Sequence, residues 1–96
     1  MTTAETLATY NDILKSSLSA AWDGFTAEVS AETLDNFVLI SGTIQHTQSR
    51  GIVFNKQYIA AADDPEDIAA KIKKAAAEIR EHIRDINYYI SLKRKR

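Results

Sequence analysis

From Asp64 to about Leu92, the isoleucines Ile68, Ile72, Ile79, Ile83, Ile86 and Ile90 recur at helical spacing. At about 100° per residue they project within roughly 60° of one another, which only a long amphipathic helix can use. Its start is written in the residues before it. Asp64 can accept from free backbone N–H groups, Pro65 needs no N–H at the first helical position, and Glu66 and Asp67 set negative charge at the positive end of the helix dipole. One face of such a helix has to be buried, so the rest of the chain must supply a surface for it.

The preceding residues supply a sheet. Phe25, Ala27 and Val29 alternate with Thr26, Glu28 and Ser30, and Val38, Ile40 and Ile44 alternate with Leu39, Ser41, Thr43 and Gln45, the period of strands with one buried face. A turn through residues 32–36 joins these two strands. The polar loop at residues 47–51 returns the chain into a third strand over residues 52–61. With His46 set opposite Ile52, the pairs Ile44–Phe54, Gly42–Lys56, Ile40–Tyr58 and Val38–Ala60 follow, and the apolar sets of both strands share a side. Lys56 is the exception on that face, where its stem can lie over Gly42 with the ammonium reaching solvent.

Before the sheet, Thr2 and Glu5 suit a capping box. Leu7, Tyr10, Leu14, Leu18 and Ala21 then keep helical spacing, predicting a first helix from about residue 3 to 22, with Trp22 at the core edge and Gly24 closing it. The expected fold is α+β: α-β-β-β-α, a three-stranded antiparallel sheet with two helices on one face and a long C-terminal helix. The face carrying Phe25, Val29, Val38, Ile40, Ile44, Ile52, Phe54 and Tyr58 meets the helices, and the opposite face stays open. Residues 1–92 form a single domain and residues 93–96 a basic C-terminal tail.

Ninety-six residues suffice for a two-layer core but not for a deep enclosed substrate cavity as well, so the expectation is a non-enzymatic protein without cofactor or small-molecule substrate. There is no cysteine, which removes thiol nucleophiles, disulfides and thiolate metal sites. The three glycines stand far apart, and no phosphate loop or nucleophile elbow is present. No apolar run approaches the roughly 18 residues of a membrane span, and the first residues lack a signal-peptide pattern, so the default location is cytoplasmic. Glu78, His82, Asp85 and Tyr89 form one column on the long helix. A surface ladder accounts for that spacing better than a metal site, which needs three protein ligands and a supporting shell. His46 reads as a loop residue beside Ser49 and Arg50.

Two surfaces remain as candidates for binding. Phe37, Leu39, Val53 and Ile59 share the open sheet face among uncharged polar residues, a composition typical of protein interfaces. A helix of about 28 residues is roughly 42 Å long, against about 33 Å for a ten-residue strand, so Ile86, Tyr89 and Ile90 are expected to overhang the sheet. The leading expectation is therefore a protein-binding module, a regulator, adaptor or inhibitor covering part of a larger protein, acting as a homodimer.

The alternative is nucleic-acid binding. Residues 1–70 carry three basic residues against ten carboxylates, and residues 71–96 carry nine against three. The basic half includes a column, Lys73, Arg80 and Arg84, and the tail Lys93, Arg94, Lys95 and Arg96, with Tyr88 and Tyr89 beside it for base stacking. The element order is that of the double-stranded-RNA-binding domain, and Lys73-Lys74-Ala75-Ala76 resembles part of that family's basic helix. In that family the basic cluster opens the second helix. Here Asp63-Asp64-Pro65-Glu66-Asp67 does, and residues 32–36 lack its Gly-Pro-x-His element. The resemblance implies shared topology, which does not carry function with it.

Overall fold

A computed structural model of the chain describes residues 3–17 and 24–94, without the side chains of Ser17, Ile90 and Arg94. The order is α1 (Thr3–Ser17), β1 (Phe25–Leu34), β2 (Phe37–His46), β3 (Ile52–Ala61) and α2 (Pro65–Arg94). The strands form one antiparallel sheet in the order β1-β2-β3, and the fold is the expected α+β arrangement. The stretch with Leu18, Ala21 and Trp22, expected to extend α1, lies outside the described residues.

α2 begins as its sequence dictates. Asp64 Oδ1 accepts from the Asp67 N–H at 3.1 Å, and the Asp64 carbonyl accepts from the Ile68 N–H at 3.1 Å. One turn on, Lys71 pairs with Asp67 at 2.9 Å. Thirty residues make α2 about 45 Å long, most of the 52 Å length of the molecule. Ile68, Ile72, Ile79 and Ile83 are buried against Leu14, Val29, Val38, Ile40, Ile44 and Ala60. Where the isoleucines skip from 72 to 79, Ala75 and Ala76 are buried instead, and there α2 comes closest to the sheet. A Cβ on Gly42 would stand 2.9 Å from Ile79 Cδ1 and 3.4 Å from Ala75 Cβ.

α1 lies beside α2 on the same face of the sheet, and the two run parallel. Thr3 and Thr6 line one cleft with Pro65, Ile68 and Ile72, while Asn11 reaches back to Val29 on β1. The second face of the sheet is covered by no described element.

The register matches expectation at Val38–Ala60, Ile40–Tyr58, Gly42–Lys56 and Ile44–Phe54, then departs from it. A bulge at this end pairs Ile52 with Gln45, not His46. One extra residue in β3 reverses the sidedness that alternation would give, so Ile52 is 63% exposed and is not part of the core. The turn at residues 32–36 is also shorter than expected. β1 continues to Leu34, paired with Phe37, and only residues 35–36 turn, with Asp35 at φ 42°. His46 is the last residue of β2 and not a loop residue. Its Nδ1 accepts from the Ser49 N–H at 3.4 Å, and its ring stands edge-on to Phe25 with centroids 5.0 Å apart.

Candidate protein-binding face

The pairing of the strands lays out the uncovered face row by row. Leu34, Phe37 and Ala61 form the first row, and Glu32, Leu39 and Ile59 the second. Ser30, Ser41 and Gln57 follow, then Glu28, Thr43 and Asn55, and last Thr26, Gln45 and Ile52. Apolar side chains thus gather at both ends, with a polar band between them. Phe37 is 37%, Ile59 61% and Val53 49% exposed, whereas Leu39, in the central strand, is half-buried by its neighbours. Sequence reasoning named Phe37, Leu39, Val53 and Ile59 but missed Ile52, because a bulge leaves no mark in an alternating pattern. The face also carries Glu28 and Glu32 along β1, so its charge is confined to one border.

At the far end of α2 the placement differs from expectation in one residue. Ile86 does not overhang: it is half-buried and packed against the core. Tyr88, Tyr89 and Leu92 are the exposed apolar side chains there, and the two tyrosine rings meet edge-on at 6.0 Å. The side chain of Ile90 is outside the described residues.

Of the column Glu78, His82, Asp85 and Tyr89, the first two meet β3, each in a contact of its own. Glu78 Oε2 pairs with Lys56 Nζ at 3.1 Å. The ring of His82 packs on Phe54 with centroids 4.7 Å apart. Lys56 is half-exposed and reaches to its carboxylate on α2, while the space over Gly42, expected to take the Lys56 stem, is occupied by Ile79 and Ala75. Among the described residues no three histidine, aspartate or glutamate side chains converge as metal ligands.

Tyr58 completes this group. Its hydroxyl is shut off from solvent and faces Glu78 without a hydrogen bond of good geometry. Burial, with the carboxylate beside it, pushes the phenol up to about 12, while the Tyr58 hydroxyl and the Lys56 ammonium hold Glu78 below the usual carboxylate range. General acid–base work near neutrality needs shifts in the opposite directions, so this group suits a structural strut between β3 and α2.

The basic residues are displayed on the other flank of α2. Lys73, Arg80 and Arg84 are exposed and form no ion pair among the described residues. Arg80 and Arg84 border a shallow depression of about 550 Å³ with Glu81 and Asn87. The helix continues through Lys93 to Arg94, so the first half of the expected tail is helical; Lys95 and Arg96 lie outside the described residues. No described helix is long and apolar enough to cross a membrane. The chain matches no family model, and comparison with curated proteins and with solved structures returns no match.

Proposed function

We propose that the chain is a small non-enzymatic protein-binding module, a regulator, adaptor or inhibitor that covers part of a larger protein with the outer face of its sheet, and that it works as a homodimer. The observation that carries this reading is the uncovered face itself. Phe37, Ile52, Val53 and Ile59 stand exposed on strands whose reverse side is locked into the core, so the surface is rigid before any partner arrives and loses little freedom on binding. Carboxylates border it only along β1, leaving a centre of hydroxyl, amide and aliphatic side chains.

The test is capture from the native cell with the wild type and with Leu39→Glu and Ile59→Glu, in nuclease-treated and untreated lysates. A partner retained by the wild type, lost by both variants and indifferent to nuclease supports the reading. Retention by both variants overturns it. The second reading, a nucleic-acid-binding module, rests on the unpaired column Lys73, Arg80 and Arg84 continuing toward Lys93. It requires affinity that falls steeply with salt and drops in an Arg80→Ala, Arg84→Ala double variant. The acidic first turn of α2, Glu66 and Asp67, weighs against it.

A further inference from the structure

The two edges of the sheet are not equivalent. At the β1 edge, Val29 turns its backbone away from β2, and α1 answers with an amide: Asn11 Nδ2 donates to the Val29 carbonyl at 3.1 Å, and the Val29 N–H donates to Asn11 Oδ1 at 2.8 Å. A side chain thereby imitates a neighbouring strand. Nothing comparable guards β3. The His46 N–H donates to the Gly51 carbonyl, and the Asn36 carbonyl accepts from the Ala62 N–H, so the even-numbered residues of β2 face β3. By the alternation of antiparallel ladders, Asn55, Gln57 and Ile59 then turn their N–H and C=O groups outward. No hydrogen bond among the described residues reaches those groups.

Proteins blunt such edges with proline, charge or bulges. The bulge in β3 is confined to its first residues, and the stretch from Phe54 to Ala61 is regular and lacks proline. Lys56, the charge within it, is turned toward α2 and tied to Glu78.

We infer that the β3 edge is the dimer interface: two copies pair their third strands antiparallel about a two-fold axis at Gln57, joining two three-stranded sheets into one of six. This inference names the contact behind the homodimer of the proposed function and stands on a different surface from the outer face. An axis at Gln57 sets Asn55 opposite the partner's Ile59 and Lys56 beside the partner's Tyr58. An axis at Lys56 would oppose two ammonium groups. An axis at Tyr58 would bring together the two Lys74 side chains, each with its Nζ 5.3 Å from a Tyr58 ring centroid.

The helices fit the same axis. Strands lie about 4.8 Å apart, and α2 packs over β2 and β3 about equally, so the two copies of α2 come to lie antiparallel at about 10 Å, the ordinary spacing of packed helices. Their facing flanks are complementary. Lys71 and Lys74 occupy the first half of this flank, and Glu78 and Asp85 the second, so reversal brings Lys74 toward the partner's Glu78. Asp85 approaches the partner's Asp67, which already has Lys71 at 2.9 Å within its own chain. At the ends, the basic close of α2 runs past the acidic opening of the other copy, residues 63–67.

Sedimentation over micromolar to high-micromolar concentrations tests this. The wild type is expected to be a dimer, and Gln57→Pro, which removes one outward N–H at an edge position where proline is tolerated, a folded monomer by circular dichroism. Leu39→Glu, on the outer face, should remain dimeric. Should Gln57→Pro fail to fold, Gln57→Lys and Gln57→Glu decide: each alone should be monomeric, because position 57 meets itself at the axis, and an equimolar mixture should recover the dimer. A monomeric wild type, a dimer that persists in Gln57→Pro, Lys and Glu alike, or no recovery in the mixture overturns the inference. A dimer lost in Leu39→Glu but kept in Gln57→Lys overturns it in favour of the outer face. A monomeric wild type that still captures its partner through Leu39 leaves the proposed binding face standing, so the two readings fail separately.

Discussion

The closest approach of helix and sheet offers a sharp test of the packing. In Gly42→Ala the new methyl stands 2.9 Å from Ile79 Cδ1, 3.3 Å from its Cγ1 and 3.4 Å from Ala75 Cβ, where carbon atoms prefer about 3.5–4.0 Å. Ile79 is fully buried, so its Cδ1 can swing away only by leaving its rotamer, at about 0.5–1.5 kcal/mol, or by pushing α2 outward. Overpacking of this kind costs about 1–3 kcal/mol. The gain from replacing glycine within a strand, about 0.5–1 kcal/mol, offsets part of it, leaving a loss centred on about 1 kcal/mol and at most about 2.5 kcal/mol. Ile79→Val deletes the offending Cδ1 and alone costs about 0.5–1.5 kcal/mol. If the clash is the cause, the double variant should be scarcely less stable than Ile79→Val, a coupling of about 1 kcal/mol or more in a double-mutant cycle. Urea denaturation followed by circular dichroism measures all four proteins. Additivity within about 0.5 kcal/mol, or a Gly42→Ala variant more stable than the wild type, would refute the reasoning.

Asn11→Ala strips Val29 of both its edge partners and should cost about 1–3 kcal/mol, with the Val29 amide losing protection in hydrogen exchange; unchanged protection would show that the clasp does not form in solution. Ile79→Asp sets a charge without a partner at a fully buried position and should abolish the cooperative melt. The strut of Tyr58, Glu78 and Lys56 predicts opposite pH limits. The phenol of Tyr58 is raised from 10 to about 12 on folding, so the unfolded chain ionises first. The stability this confers is complete below pH 10 and is lost as pH rises through about 12. Tyr58→Phe should flatten that alkaline fall. Glu78 is lowered on folding, so its contribution is present above the ordinary carboxylate value and is lost as pH falls through the folded one; Glu78→Gln should remove that acid dependence, and denaturation midpoints across pH check both.

The elements legible in the sequence are those whose signals are local or periodic. Asp64 and Pro65 mark the start of α2 because capping is settled within one turn, and the register at Gly42–Lys56 follows because a slip of one residue would turn every apolar side chain outward. The close approach was not read: the gap at Gly42, assigned to the Lys56 stem, is filled by Ile79 and Ala75 of α2, a contact that depends on how the helix is set on the sheet. The bulge at Ile52 was not either, because its effect is to break the alternation by which strands are read. Nor was the role of Asn11, an ordinary helical residue until tertiary packing sets it against the outward backbone of Val29 at the β1 edge. The exposed face was legible as a set of four side chains. Its fifth, Ile52, and its acidic border emerged only with the pairing of all three strands.

The order of the elements bears on how the chain assembles. Each consecutive pair lies side by side, β1 with β2, β2 with β3, and β3 with α2, so the sheet and its long helix can form by closing short loops at small entropic cost. α1 stands apart. Its contact with α2 joins the two extremes of the sequence, and beyond that it rests on β1. Its docking against α2 therefore closes a longer loop than any of the other pairings and waits on the rest of the fold. Release of α1 would also withdraw Asn11 from Val29 and bare the β1 edge, and this is where uncontrolled strand addition would begin.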